Sequence, residues 1–333
     1  METSRKAAHL TASVCLLALA ACSGGGSGTP ATTTPPAPTT PPATTVSIGA
    51  PATVGVAGVA SNFNFTTNPP PQNTAFALGR LNLRVTPTSV AAAGVTDATA
   101  IFRTTVVSNG VTYPVFDLNI PSLSVSASNV RGDGTPVVLS GGGQVSAAVA
   151  TLNYTLLGAW TYTPTSGGGY LGMVVTGSST PSAGTPTTGS ASYSGTGGVA
   201  GAYFVPTGSG TIQGGTLTGN VSLNVDFAAN SFSGSLSNMT ATASANGSGS
   251  TPWNNVSLTG TVSRGAGPAF LNGSTSTSGA PGGAGIAGFS NAATGSLSGA
   301  FYGPAAQEVG AQWTLYEPTS GGGKAAFGVF GAK

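Results

Sequence analysis

The sequence predicts an all-β protein made of short antiparallel strands. Three observations support this: apolar residues alternate with polar ones at a period of two, clusters of Gly, Asn and Ser separate the runs, and no amphipathic helix of three turns can be drawn. Many short strands joined by local turns make an up-and-down barrel or a sandwich, and closure into a barrel removes exposed edges.

Residues 1–21 read as a lipoprotein signal peptide. Arg5 and Lys6 form a positive start, and Leu10 to Ala21 an apolar stretch long enough for a secretory signal but too short for a membrane span. It ends in Leu19-Ala20-Ala21-Cys22, which resembles the bacterial lipobox. That resemblance implies cleavage between Ala21 and Cys22, a diacylglyceryl group on the thiol and a fatty acyl group such as palmitate on the new amine. Several long chains hold a protein almost permanently, at about 0.8 kcal/mol per buried CH₂. Ser23, not aspartate, follows the cysteine, which favours the outer membrane.

Residues 22–46 form a linker, first Gly/Ser and then Pro/Thr, as in Thr33-Thr34-Pro35-Pro36. It lacks the apolar residues that offset ordering entropy, and extended polyproline would let it reach on the order of 70 Å. Pro69-Pro70-Pro71-Gln72-Asn73 reads as a loop.

The strands follow. Tyr154, Leu156, Gly158, Trp160 and Tyr162 share one face of the first clear run. Leu217, Val221, Leu223, Val225 and Phe227 share one face of another, with Thr218, Asn220, Ser222, Asn224 and Asp226 opposite. Val256, Leu258, Gly260 and Val262 repeat the register, as do Leu297, Gly299 and Phe301. Each run is expected to have one buried and one wet face. Gly219, Gly234, Gly260, Gly295 and Gly299 fall at inward positions, which suits the curvature of a small barrel. Turns are expected at Ala228-Ala229-Asn230, Ala245-Asn246-Gly247 and Thr319-Ser320-Gly321-Gly322-Gly323, and a single helical turn at Pro304 to Glu308. A Pro/Ser/Thr/Gly stretch from Ser178 to Thr188 separates two β regions, residues 47–185 and 186–333.

Composition limits the chemistry. Charged residues are 5% of the chain, against roughly 25% in an average soluble domain, and 53 residues are glycine. With no basic stripe, nucleic-acid binding is disfavoured. His9, Cys15 and Cys22 are the only histidine and cysteines, and two of them precede the cleavage point. The exported chain therefore has no internal disulfide, no Cys/His zinc site and no Ser-His or Cys-His nucleophile pair. Its acids are Asp97, Asp117, Asp133, Asp226, Glu308 and Glu317, scattered along the chain. No enzyme, cofactor or metal site is expected. Arg131-Gly132-Asp133 contains an integrin-type tripeptide, but Asp133-Gly134 reads as a hairpin turn. Trp160 and Trp313 read as core, and Trp253, after Pro252 in a polar stretch, as a candidate for exposure. An integral outer-membrane barrel would need lipid-facing apolar bands and aromatic girdles; with 7% aromatics, a soluble barrel on a tether fits better.

Two stretches carry a family resemblance. Pro186 to Gly195 resembles the opening strand of the transferrin-binding protein B barrel. The closing stretch resembles the family's Gly-x-Phe-Tyr-Gly-Pro-x-Ala-x-Glu-x-Gly-Gly ending through Gly299, Phe301, Tyr302, Gly303, Pro304, Ala306, Glu308 and Gly310, with Ala311 in place of the second glycine. Val225-Asp226-Phe227 followed by Ser233-Gly234 is similar to the family's strand pair. The resemblance covers 186–333 and implies an eight-stranded antiparallel barrel preceded by a β-rich handle, which 47–185 suits by position. The closing motif reads as structural, with Glu308 bonding nearby backbone N–H groups to fix the corner.

The resemblance also implies a surface-exposed outer-membrane lipoprotein, moved outward by a translocator. Such a protein captures an extracellular protein, an iron or haem source or another solute for a TonB-dependent receptor. The alternative is a structural, adhesive or host-interaction protein without a nutrient ligand. The near-uncharged surface argues against transferrin itself. Without histidine, haem would need Met173, Met239 or a tyrosine as axial ligand.

Overall fold

The computed structural model describes residues 46–51, 63–65, 69–243, 249–265, 268–278, 288–320 and 322–333. Ala21, Cys22, the Pro/Thr linker, the expected turn Ala245-Asn246-Gly247 and Gly321 lie outside the described residues.

The first eleven strands are β1 (Ser47–Ile48), β2 (Ala75–Ala77), β3 (Leu81–Val85), β4 (Ser89–Ala92), β5 (Thr99–Ser108), β6 (Val111–Ile120), β7 (Val125–Arg131), β8 (Val137–Val138), β9 (Gln144–Thr151), β10 (Thr155–Thr163) and β11 (Gly169–Gly177). They form a seven-stranded sheet, β1-β4-β3-β11-β10-β9-β8, and a four-stranded sheet, β2-β5-β6-β7. Phe76, Phe102, Phe116, Leu156, Trp160 and Val174 share one buried cluster built from both sheets, so this half is a sandwich.

The second half comprises β12 (Ser190–Pro206), β13 (Ile212–Asp226), β14 (Ser231–Ala243), β15 (Ser250–Pro252), β16 (Asn255–Ser263), β17 (Phe270–Ser278), β18 (Thr294–Tyr302), β19 (Glu308–Glu317) and β20 (Lys324–Ala332). β15 only flanks the end of β14. The other eight strands pair antiparallel in succession, and β20 pairs with β12 to close the barrel. Leu217, Val221, Leu223 and Val225 are all buried on the inner face, as the alternation requires. At the β13–β14 turn Asn230 takes φ +52, and Asp226 Oδ1 accepts from Ala228 N and Ala229 N, both at 2.9 Å.

Close packing against aromatic rings explains some of the glycine. A Cβ added at Gly260 or Gly273 would stand 2.7 Å from Phe232 Cζ, so both positions must be bare for the ring to lie across them. In the sandwich, a Cβ at Gly172 would stand 2.2 Å from the Trp160 indole, its cross-strand neighbour. Large rings over bare backbone fill a core at native density with few apolar residues.

The structure corrects four expectations. β10 has no wet face: Leu156 and Trp160 point into the sandwich, while Leu157 and Ala159 face the barrel. Pro304 to Glu308 is not helical; Ala306 takes φ +56, Gln307 Oε1 accepts from Ala305 N at 2.9 Å, and Glu308 already opens β19. Asp133-Gly134 is not a hairpin turn but the crossover from the four-stranded to the seven-stranded sheet, with Asp133 bridging Ala148. Trp253 is buried edge-on against Phe289, with ring centroids 5.4 Å apart.

The two halves meet on a third apolar cluster. Leu81, Leu83, Leu157, Leu171, Met173 and Val175 of the sandwich pack on Ala202, Phe204, Ala300, Tyr302, Phe327 and Val329 from the barrel's outer wall. Each fully buried Leu or Phe there contributes about 1.5–3 kcal/mol relative to exposure.

Candidate binding surfaces and the joint between the halves

The closing motif sits at this joint. Gly299, Phe301 and Tyr302 belong to β18, Gly303 and Pro304 to the turn, and Glu308 and Gly310 to β19. Phe301 points into the barrel and Tyr302 toward the sandwich. Gly303, at φ +84, donates to Ser178 O at 2.8 Å, and its carbonyl accepts from Thr180 Oγ1 at 2.7 Å. A Cβ at Gly310 would stand 2.7 Å from Val175 Cγ1, so this glycine lets the two walls close.

Glu308 is 1% exposed, and its partners are not at its own corner. Its Oε1 accepts from Asn153 N at 2.7 Å, and its Oε2 accepts from Tyr154 N at 2.8 Å and Thr155 Oγ1 at 2.9 Å. All three donors lie at the β9–β10 turn of the sandwich. A carboxylate satisfying orphan N–H groups is therefore the clasp between the halves. Gln312, on the same wall of β19, donates from Nε2 to Met173 O at 2.9 Å. Sequence reasoning missed Gln312 and Thr180; the only signal for Gln312 was an amide inside the run Val309 to Leu315, apolar but for it and Thr314.

The remaining described carboxylates are also engaged. Asp117 pairs with Arg103 at 2.6 Å and Glu317 with Lys324 at 3.3 Å. Hydrogen bonds from Ser122 hold the Asp97 carboxyl below its ordinary range. Burial pushes Asp133 up, but hydrogen bonds from Thr135 and the Arg131 guanidinium outweigh it and hold it low. The Arg131–Asp133 pair, at 2.5 Å, closes the integrin-type tripeptide on itself. Among the described residues no three His, Cys, Asp or Glu side chains gather as a metal site.

Both methionines that could ligate haem are enclosed, as are three of the tyrosines. Met173 is 1% exposed in the joint and Met239 2% exposed inside the barrel. Burial pushes the Tyr193 and Tyr203 hydroxyls up to about 12, and that of Tyr302 higher still.

Two surface features stand out. β2 pairs with β5 only at Thr99 to Ile101, and β7 pairs with β6 only from Val115 onward, so Thr104 to Pro114 is a two-stranded ribbon. Asn109 and Gly110, at φ +52 and +76, turn its tip, and Val107 (67%) and Val111 (42%) are exposed beside it. The second feature is the entry of the chain from the linker. Gly322, in the β19–β20 turn, lies against Val46, and Tyr316 Oη donates to Ile48 O at 3.4 Å. β19 separates that turn from Glu308 by about 30 Å at ~3.4 Å per residue. The linker thus joins at the barrel end opposite the Glu308 clasp.

A closed barrel with an apolar interior, welded by one arc of its outer wall to a two-sheet sandwich, defines a two-part all-β class in which the barrel is a packed body. Residues 185–333 match the family described as the C-lobe and N-lobe beta barrels of Tf-binding protein B. Over these residues the chain is similar to the barrels of that transferrin-binding protein B family. Three solved structures are similar. A transferrin binding protein B mutant from Haemophilus parasuis Hp5 is 18% identical at TM-score 0.40, covering 76% of this chain and 44% of that one. The isotype 1 protein from serogroup B Neisseria meningitidis is 18% identical at TM-score 0.40, covering 72% and 50%. The intact two-lobed Ap-TbpB is 17% identical at TM-score 0.39, covering 79% and 60%. The chain thus spans about half the length of these relatives. No curated protein matches it. Among the described residues, no helix is long and apolar enough to cross a membrane.

Proposed function

We propose that the protein is an outer-membrane surface lipoprotein, anchored through Cys22, that binds without catalysing. It holds an extracellular protein, an iron or haem source or another solute for a TonB-dependent receptor. The observation that carries this reading is the match of residues 185–333 to the barrels of a protein named for binding transferrin. Domain limits of 22–46 for the linker, 47–185 for the handle and 186–333 for the barrel go with it. The Thr104 to Pro114 ribbon, with its exposed valines, is the contact surface this reading favours. The arginine just before it is committed elsewhere: Arg103 bonds Asp117 and Asn73.

Affinity capture with the detergent-extracted chain, from iron-starved medium and from host fluid, tests the binding. A ligand retained by the wild type and lost with Val107→Ser/Val111→Ser supports the reading; an empty eluate from both sources overturns it. Palmitate labelling that disappears in Cys22→Ser supports the anchor. Labelling of the protein on intact cells supports surface exposure, and protection from external protease counts against it.

A further inference from the structure

The sandwich covers only one arc of the barrel wall. Across β12, β13, β14, β16 and β17 the outward side chains form cross-strand rows of small hydroxyl and amide groups. The middle row is Ser192, Asn224, Ser233, Thr259 and Ser274, in direct register and all exposed. One flanking row runs from Ser222 to Ser276 and the other from Asp226 to Asn272. Neighbours within a row are about 4.8 Å apart, and the rows about 6.8 Å apart along the strands. Charge is nearly absent: Asp226 alone is ionic, and its Oδ1 caps the β13–β14 turn. Beside the third row stands Phe270, 40% exposed, paired in register with Ser263, whose Oγ accepts from Asn272 Nδ2 at 3.1 Å.

We propose that this arc is a docking face for a neutral polysaccharide, held by repeated hydroxyl hydrogen bonds and by stacking on Phe270. An anionic polymer would need cations, and the nearest, Arg264, is bonded to Asn230 Oδ1 and Phe227 O. Protein interfaces rely on aromatic, Met and Arg anchors at their centre, which these rows lack. A bilayer requires an outward apolar band, and these outward positions are polar. A neutral glycan matches the chemistry: it offers donors and acceptors at a spacing comparable to the strand pitch, and the C–H face of a sugar ring suits an exposed phenyl ring. Each bond is individually weak, so affinity comes from their number along an extended chain.

The test uses the full chain extracted in a detergent without sugar headgroups, sedimented with insoluble amylose, cellulose or mannan. Retention on at least one, unchanged by added salt, is expected. Phe270→Ala and Thr259→Arg should each weaken retention about tenfold, roughly 1.4 kcal/mol, with the thermal unfolding midpoint unchanged. Val138→Ser, at an exposed position on β8 of the sandwich, should leave retention intact. No retention on any of the three polymers, or equal retention by all variants, overturns the proposal, as does retention confined to an anionic polymer and lost in salt. Because no protein ligand is present, the outcome is independent of the capture experiment.

Discussion

The two arcs of the barrel wall share the same strands and the same inner core, yet they carry opposite chemistry. Where β12, β18 and β20 face the sandwich, their outer positions include Phe204, Ala300, Tyr302, Phe327 and Val329, all buried, with Phe204 stacked on Phe327 at 6.0 Å, and β19 adds the buried Glu308 and Gln312. Where β13, β14, β16 and β17 face outward, the equivalent positions are mostly Ser, Thr and Asn. A closed barrel needs only its inner face to fold, so the outer face is free to record what covers it. The apolar arc records the sandwich, and the hydroxyl arc records water and, in our proposal, a neutral glycan.

The comparison breaks most readily on the covered arc. Phe327→Ala removes a ring buried between the two halves and should destabilise the protein by about 3–5 kcal/mol in chemical denaturation. Glu308→Ala should cost less, about 2–3 kcal/mol, because it leaves the N–H groups of Asn153 and Tyr154 without their acceptor. Its distinguishing sign is faster hydrogen exchange at those two amides; unchanged exchange there would count against the clasp. On the open arc, Thr259→Ala should move stability by no more than about 0.5 kcal/mol.

Acid provides a finer probe. The Asp133 carboxyl is held below its ordinary 3.8, so its contribution is fully present above that value. It is lost as pH falls through the lower folded value, where the native state must take up the proton. Asp133→Asn should therefore lower stability at neutral pH, where that contribution is present, and flatten the acid limb of the stability curve below about pH 4. An unaltered acid limb would show that the Arg131 and Thr135 contacts do not hold the carboxyl low. In a haem titration, the burial of Met173 and Met239 predicts no Soret shift from methionine ligation; a shift would point to one of the half-buried tyrosines, such as Tyr113 or Tyr162.

Much of the barrel was legible because period-two alternation reports which side of a strand meets water. β13 shows this: Leu217, Val221, Leu223 and Val225 face in, and Ser222, Asn224 and Asp226 face out. The same rule failed at β10, where Leu157 and Ala159 interrupt the expected wet face because a second body lies against it. It was also silent at the Pro304 turn, whose local signals suit a helix. There the strand start at Glu308 is pulled into place by donors more than 150 residues away.

By itself the sequence determined the strand periodicity, the inner face of the barrel, the β13–β14 turn at Ala228 to Asn230 and the closing motif that marks the family. These follow from local rules: side-chain alternation, turn chemistry and the glycines that make room for close packing. Only the tertiary structure decided that Glu308 clasps the sandwich, that Gln312 reaches Met173, that Trp253 is enclosed and that the chain from the linker enters beside Gly322. Each of these is a contact between segments remote in the chain. Local polarity can mark a group as needing a partner, but only the packing of one body against another supplies it.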